Sequence, residues 1–182
     1  MITVELYLVR HGEVPSNVEK TVSGFNDEKL TWKGIQQALQ VKERIKDIEF
    51  AQIICSPVPR AIETAQIIAP NKDIILDYRL QERNPGTMLG HKRSEINRDE
   101  WSSLEKEQTI YGGETLLAGL NRTRSLLAEL EKEYDKRRIL LITHMFICKC
   151  VWMLENDVYE KDKIEGFFQQ NNEIRVYTHV KR

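Results

Sequence analysis

The chain has 182 residues, and its 27 Lys and Arg residues nearly balance its 28 Asp and Glu residues, which leaves a formal net charge of −1. This balance excludes a protein built around a large basic surface, the usual footprint of a nucleic-acid-binding protein. A content of 41% hydrophobic and 30% charged residues indicates a folded chain with a substantial core. This length fits one domain over residues 1–182, since single cores grow up to about 250 residues.

The sequence also bears on the location of the protein. Its longest stretches without a charged residue, 50–59 and 139–148, have ten residues each, whereas a membrane-spanning helix needs about 20. The N-terminus has neither the basic nor the apolar segment of a signal peptide. The three cysteines, Cys55, Cys148 and Cys150, cannot all pair within the chain and do not suggest a structural zinc site. We therefore expect a cytoplasmic protein without a membrane span.

Strands are predicted where short apolar runs rich in branched side chains are bounded by charged or turn residues. Three runs meet this description, at residues 3–9, 51–55 and 139–143. A fourth run, at residues 173–180, alternates apolar and polar side chains at a period of two. That period is typical of a strand near a sheet edge.

Helices are predicted between the strands. One is expected over residues 32–47 after an N-cap at Thr31, with four apolar residues on one face: Ile35, Ala38, Leu39 and Ile45. A second is expected over residues 57–69, with Ser56 as N-cap and Pro57 at the first helical position. The alternation of strands and helices predicts an α/β fold, a three-layer α/β/α sandwich with a largely parallel central sheet.

Ligands bind at the carboxyl ends of the strands in such sheets. Arg10 and His11 follow the first predicted strand, Arg60 lies shortly after the second, and His144 follows the third. If the three strands are parallel, we expect two arginines and two histidines to converge on one crevice.

This cluster has the chemistry of phosphoryl transfer. Arginines offer bidentate donors to phosphate, and a helix N-terminus adds backbone N–H groups. His11, followed by Gly12, is placed to attack phosphorus through a free ring nitrogen. Arg10, Arg60 and a protonated His144 would stabilise the phosphoryl oxygens without a metal. Glu82, in a loop after a further predicted strand, is the best candidate for the proton donor.

Each of these residues also has an ordinary structural explanation. An isolated Arg-His-Gly triplet is a weak signal, and a histidine at a strand end, such as His144, is more often structural than catalytic. By default Arg60 would lie on the surface of a helix, and Glu82 would be solvated. Only the combination of the residues favours catalysis.

Taken together, the segments resemble the histidine phosphatase superfamily, a group of phosphoglycerate mutase-like phosphatases with an Arg-His-Gly signature. The resemblance runs in the family's order from residue 4 to residue 144. The matching positions are Leu8–Glu13 and Asn17; Gly24, Asp27, Leu30, Thr31, Gly34, Gln37 and Ala38; Cys55, Ser56, Arg60, Ala61, Thr64 and Ala65; Leu80, Glu82, Arg83, Gly86 and Gly90; Gly112–Thr115; and Ile142–His144.

The resemblance implies a role for each matching site residue. His11 would be phosphorylated during turnover, with Glu82 as the proton donor. The phosphoryl group would be surrounded by Arg10, Asn17, Arg60 and His144. Arg83 would either bind a second anionic group of the substrate or form a surface ion pair. No cofactor or metal is implied, and the expected partner is a small phosphorylated metabolite.

The sequence departs from the family pattern around the leaving group. Met145 and Phe146 follow His144, where the family commonly has two glycines. The backbone N–H of Met145 can still donate to phosphate, but a side chain now occupies this position. Pro85 replaces a usual aromatic residue, and Leu89 stands where an acid is common. We expect a narrower or more apolar leaving-group pocket.

Three functions remain open at this point. The first is a metal-independent phosphomonoesterase that acts through a phosphohistidine. The second is a mutase, which returns the phosphoryl group to the substrate. Related mutases are longer, so a chain of 182 residues favours hydrolysis. The third is a catalytically silent phospho-ligand binding module, although such a module needs no nucleophile and acid together. The sequence sets neither the physiological substrate nor the oligomeric state.

Overall fold

The computed structural model describes residues 3–104, 106 and 109–180. The described strands are β1 (Thr3–Arg10), β2 (Gln52–Cys55), β3 (Ile74–Leu76), β4 (Arg138–Thr143) and β5 (Ile174–Val180). They form a five-stranded sheet in the order β3-β2-β4-β1-β5. β3, β2, β4 and β1 run parallel, and β5 pairs antiparallel with β1 at the edge. The prediction of a largely parallel sheet is confirmed.

Helices cover both faces of this sheet. The described α-helices are α1 (Pro15–Glu19), α2 (Trp32–Ile45), α3 (Pro59–Ile68), α4 (Arg98–Trp101), α5 (Leu116–Glu133), α6 (Met145–Asn156) and α7 (Lys161–Gly166). Short 3₁₀ helices lie at Tyr78–Leu80, Gly86–Met88 and Arg93–Glu95. None of the helices in the described part of the chain has the length and apolar character needed to cross a membrane.

Side chains of β1 alternate between two hydrophobic clusters because successive residues of a strand point to opposite faces. Leu6 and Leu8 pack into a cluster with the buried residues of α5 and α6. Val9 packs on the other face with the buried residues of α2 and α3. The sheet is therefore the middle layer of a three-layer sandwich.

The N-terminus of α2 agrees with its prediction, because the Thr31 side chain accepts a hydrogen bond from the backbone N–H of Gly34 (3.0 Å). The predicted apolar face is wrong in one position. Leu39 is exposed, whereas Val41 is buried next to Ala38 and Ile45 in the cluster.

The predicted start of the second helix is also wrong, since α3 begins at Pro59 rather than at Pro57. Val58 precedes a proline, and the proline ring disfavours helical backbone in the residue before it. Val58 is accordingly extended, with φ −77° and ψ 132°, and is the N-cap residue. Ser56 is thus released from the capping role that its sequence suggested.

Candidate active site

The carboxyl ends of β1, β2 and β4 meet at one edge of the sheet, and backbone hydrogen bonds continue the register beyond them. The N–H of His11 donates to the carbonyl of Thr143 (2.9 Å), and the N–H of Ser56 donates to that of Ile142 (2.9 Å). His144 follows β4 directly. The rings of His11 and His144 lie 5.0 Å apart between centroids. The predicted convergence therefore exists in the structure.

His11 is held in one tautomer. Its Nδ1–H donates to the carbonyl of Gly12 (2.7 Å), and its Nε2 accepts the Nε–H of Arg60 (3.2 Å). Burial lowers the pKa of His11 well below 6.5, and the positive charges of Arg60 and Arg10 lower it further. The imidazole is therefore neutral, with its lone pair on Nε2.

Arg60 is fully buried, so the default expectation of a surface residue is wrong. Besides His11, its guanidinium contacts the loop before α2, where one Nη donates to the carbonyl of Gly24 (2.7 Å) and the other to that of Asn26 (3.2 Å). All three guanidinium nitrogens are used. Because a guanidinium keeps its charge at any working pH, Arg60 places a permanent cation next to the His11 ring.

Arg10 is the second cation of the site and is 3% exposed. One Nη donates to the carbonyl of Gln169 (2.7 Å), whereas the buried Nε has no partner among the described residues. Burial lowers the pKa of Arg10 to about 10. Arg10 therefore stays charged at neutral pH and retains an unused donor.

His144 is the N-cap residue of α6 and is fully buried. Its Nε2 lies 2.7 Å from the hydroxyl oxygen of Ser56, and its Nδ1 has no partner among the described residues. Burial lowers the pKa of His144 well below 6.5, and Arg60, His11 and Arg10 contribute in the same direction. The lowered pKa favours a neutral His144 ring and opposes the expected protonation, because two arginines already supply positive charge at this site.

The N-terminus of α6 adds backbone donors at the same place. The N–H of Cys148 donates to the carbonyl of His144 (2.9 Å), so the N–H groups before it, starting with Met145, are not used by the helix. Such free N–H groups and the helix dipole favour an anion.

Glu82 is half-buried and lies in the loop that follows β3 and the 3₁₀ helix Tyr78–Leu80. This loop is attached to the sheet because the hydroxyl of Thr143 donates to the carbonyl of Leu80 (2.7 Å). One carboxylate oxygen of Glu82 accepts the N–H of Arg83 (2.9 Å). The carboxylate lines the same cavity as His11.

Asn17 lines this cavity from α1. Its Oδ1 accepts hydrogen bonds from the N–H of Val14 (3.2 Å) and from Nδ2 of Asn171 (3.0 Å). Nδ2 of Asn171 also donates to the carbonyl of His11 (2.9 Å). Because its Oδ1 is held by donors, the amide group of Asn17 has its N–H donors left for a ligand.

Arg83 is 4% exposed, which excludes the alternative of a surface ion pair. Its Nε donates to the carbonyl of Glu114 (2.7 Å) and one Nη to that of Trp101 (2.7 Å). The guanidinium lies 3.9 Å from the centre of the Trp101 ring, and its other Nη has no partner among the described residues. Burial lowers the pKa of Arg83 to about 10, so it is cationic at neutral pH.

The cavity has a volume of about 160 Å³. Basic side chains on its wall are Arg10, Arg83, Arg93 and Lys149, and apolar ones are Val22, Ile96, Trp101, Leu116, Met145 and Phe146. Among the described residues, no group of three or more His, Cys, Asp or Glu side chains is arranged to hold a metal ion.

The chain matches a known protein family over most of its length. The family model described as histidine phosphatase superfamily (branch 1) matches residues 6–179. The chain belongs to this superfamily. Its fold and its Arg-His-Gly segment are accordingly those of a branch 1 histidine phosphatase.

Relatives of this superfamily member carry the names of different enzymes. A probable phosphoglycerate mutase, GpmB, from Escherichia fergusonii is 36% identical over 156 residues, which are 81% of this chain and 73% of the relative. The phosphoserine phosphatase of Entamoeba histolytica, solved in complex with 3-phosphoglyceric acid, is 27% identical with a TM-score of 0.86, covering 98% of this chain and 95% of that one. YhfR of Bacillus stearothermophilus is 27% identical with a TM-score of 0.83, covering 97% and 95%.

The sequence-based prediction missed three residues of this site, Arg93, Lys149 and Asn171, and it assigned Ser56 to a helix N-cap instead of a contact with His144. Lys149 could have been predicted from its spacing, because it lies four residues after Met145 and therefore on the same face of α6. Asn171, in a turn before β5, and Arg93, at the start of a 3₁₀ helix, come from segments distant in sequence from His11, and no local pattern marks them.

Proposed function

We propose that this histidine phosphatase hydrolyses a small phosphomonoester through a phosphohistidine at His11. The observation that carries the proposal is the state of the His11 ring. Its Nδ1–H is held by the carbonyl of Gly12, and its Nε2 lone pair is directed at Arg60. A neutral imidazole with an unprotonated Nε2 is the form that attacks phosphorus, and in this proposal the Nε–H of Arg60 turns from Nε2 to a phosphoryl oxygen as the attack begins.

In the first half-reaction, Nε2 of His11 attacks the phosphorus atom, the P–N bond forms and the ester P–O bond breaks. The leaving alkoxide takes a proton from the carboxylic acid of Glu82. In the second half-reaction, Glu82 accepts a proton from water as the water attacks phosphorus. The P–N bond then breaks, inorganic phosphate leaves and His11 is free again.

The charge that develops on the phosphoryl oxygens meets donors already in place. Arg10 supplies its unpartnered Nε–H. Arg60 supplies its Nε–H, the group that donates to Nε2 of His11. The N-terminus of α6 supplies the backbone N–H of Met145. Preorganised donors of this kind give the largest single contribution in many enzymes. Asn17 completes the set with its amide N–H.

The preferred substrate in this proposal carries a second anionic group. Arg83 has an unpartnered buried Nη on the cavity wall. Burial lowers the pKa of Lys149, and its neighbour Arg83 lowers it further. Two cations in one small cavity repel each other unless an anion lies between them. The related Entamoeba histolytica phosphatase bound to 3-phosphoglyceric acid supports the choice of an acidic phosphate ester.

The mutase is the second candidate, and the name of the 36% identical relative, probable phosphoglycerate mutase, favours it. Both candidates share the phosphohistidine and differ in the acceptor of the phosphoryl group.

A cytoplasmic location remains part of the proposal, in keeping with three unpaired and buried cysteines.

The test is to incubate the protein with an aryl phosphate, phosphoserine and 3-phosphoglycerate in the presence of a chelator. Chelator-resistant phosphate release that disappears in His11→Ala supports the phosphatase. Isomerisation that depends on a bisphosphate primer supports the mutase. Binding of the esters without any turnover would overturn both and leave a phospho-ligand binding module.

A further inference from the structure

Ser56 occupies a fully buried position directly after β2. Its hydroxyl oxygen lies 2.7 Å from Nε2 of His144, which is fully buried as well. The helix that the sequence assigns to this serine as N-cap begins only at Pro59. The Ser56 side chain is therefore not the N-cap of this helix, and its hydroxyl contacts the His144 ring instead.

The hydroxyl proton of Ser56 has one acceptor among the described residues, Nε2 of His144. The N–H of Val58 donates to the Ser56 oxygen (3.3 Å), so that contact uses a lone pair and leaves the proton free. If Nε2 of His144 carried a proton, the serine oxygen would accept twice, and the hydroxyl proton would have no acceptor among the described residues. If Ser56 donates to Nε2, every one of these polar atoms is satisfied, as buried groups require.

Donation by Ser56 fixes the remaining ring nitrogen. With Nε2 as an acceptor, the proton of the neutral His144 ring is on Nδ1, the nitrogen that has no partner among the described residues. Nδ1 is also the ring nitrogen nearer the main chain, which at this point is the start of α6. A buried N–H group without a partner among the described residues thus lies at the start of the helix whose first backbone donors are free.

We propose that Ser56 is a positioning residue that holds His144 in the Nδ1–H tautomer, so that His144 donates a hydrogen bond to the phosphoryl group while neutral. The proposal rests on the proposed function, because the group that receives this bond is the transferring phosphoryl. The two histidines then have complementary states. His11 presents a lone pair because a carbonyl holds its proton, and His144 presents a proton because a hydroxyl holds its lone pair.

The first arm of the test measures the tautomer without any turnover. The protein is labelled with ¹⁵N in its four histidine rings, and the His144 signals are assigned by comparison with His144→Gln. We expect the Nδ1–H pattern in the wild type and a mixed or Nε2–H pattern in Ser56→Ala. An Nε2–H pattern in the wild type, or an unchanged Nδ1–H pattern in Ser56→Ala, would overturn the proposal.

The second arm measures turnover of an aryl phosphate. Loss of one hydrogen bond made in the transition state is expected to lower kcat of Ser56→Ala about tenfold with KM nearly unchanged, and Ser56→Thr, which keeps the hydroxyl, is expected to recover part of it. Thr123→Val is the matched control, because it removes another fully buried hydroxyl, whose contact is the Gly119 carbonyl. A tautomer shift with unchanged kcat would disprove the phosphoryl contact. Absence of turnover in the wild type would refute the proposed function and leave the tautomer result standing.

Discussion

Arg60 donates its Nε–H to Nε2 of His11 across 3.2 Å, so the nitrogen that is proposed to attack phosphorus faces a cation. This contact opposes protonation of the imidazole, and the Nε–H of Arg60 has to leave the Nε2 lone pair before that nitrogen can attack. It also links His11 to the loop before α2, because the other nitrogens of Arg60 bind the carbonyls of Gly24 and Asn26.

Arg60→Lys is expected to damage both folding and activity, because one ammonium group cannot replace three guanidinium donors. The buried carbonyl of Gly24 and the partly buried carbonyl of Asn26 would lose their partner, which lowers the free energy of unfolding by about 2 kcal/mol. Loss of a donor at the reacting centre lowers kcat/KM about 100-fold. Urea unfolding and aryl phosphate kinetics measure the two effects. Arg98→Lys, at an exposed position on α4, is the control, and an equal response of both variants would contradict the role given to Arg60.

The pKa values of His11 and His144, both lowered below 6.5 in the folded protein, predict how stability depends on pH. The unfolded chain takes up protons at these histidines near pH 6.5, whereas the folded chain does not. The contribution of these two histidines to the free energy of unfolding is therefore fully present above pH 6.5. It is lost progressively as the pH decreases from there towards the lowered pKa values. Each histidine contributes a slope of up to about 1.4 kcal/mol per pH unit.

Chemical unfolding of the ligand-free protein between about pH 5.5 and 7.5 measures this slope around the ordinary histidine pKa. The double variant His11→Gln, His144→Gln is expected to show a flatter dependence than the wild type. The same slope in both proteins would show that the two histidines are not the source.

Lys149→Met tests the second anionic group of the substrate. Since Lys149 lies on the cavity wall beside Arg83, its removal is expected to raise KM for phosphoserine and 3-phosphoglycerate about tenfold. KM for an aryl phosphate, which has no second acid, is expected to stay within about twofold. Lys132→Met, at an exposed position on α5, is the matched control. Equal changes for acidic and aryl esters would argue against the second anion.

Met145→Gly tests the size of the leaving-group pocket. The half-buried Met145 side chain lines the cavity at the start of α6, where the family pattern commonly has no side chain. Its removal is expected to raise kcat/KM for bulky phosphomonoesters relative to small ones about tenfold, the effect of a few methylene-sized contacts. Met145→Ala keeps the helix propensity that glycine lacks and is expected to shift selectivity in the same direction. Unchanged selectivity in both variants would contradict the role of Met145.

The sequence predicted the part of the site that follows from chain direction. His11, Arg60 and His144 each follow a strand of a parallel sheet, and parallel strands end at the same edge, so their meeting needs no knowledge of side-chain contacts. The order of the strands and the antiparallel β5 did not follow from the alternation of elements. They depend on pairings between residues far apart in the chain, such as Leu6 with Tyr177.

Two features of the site differ from their predictions, one for a local reason and one because of the folded structure. Ser56 and Pro57 form a good helix start, but Pro59 disfavours helical backbone at Val58 and moves the start by two residues. The lowered pKa of His144 could not be predicted from the sequence. Its pKa depends on complete burial and on nearby arginines, which are properties of the folded site and not of the residues adjacent in sequence.

The stacking of the Arg83 guanidinium on Trp101, 3.9 Å from the ring centre, gives this protein an intrinsic optical reporter. Of its three tryptophans, Trp32 is exposed to solvent and Trp152 stacks on Phe167. Only Trp101 lines the cavity. A phosphate ester that engages Arg83 changes the electric field at this indole, so indole fluorescence follows occupancy of the cavity without a label, and Trp101→Phe removes the signal.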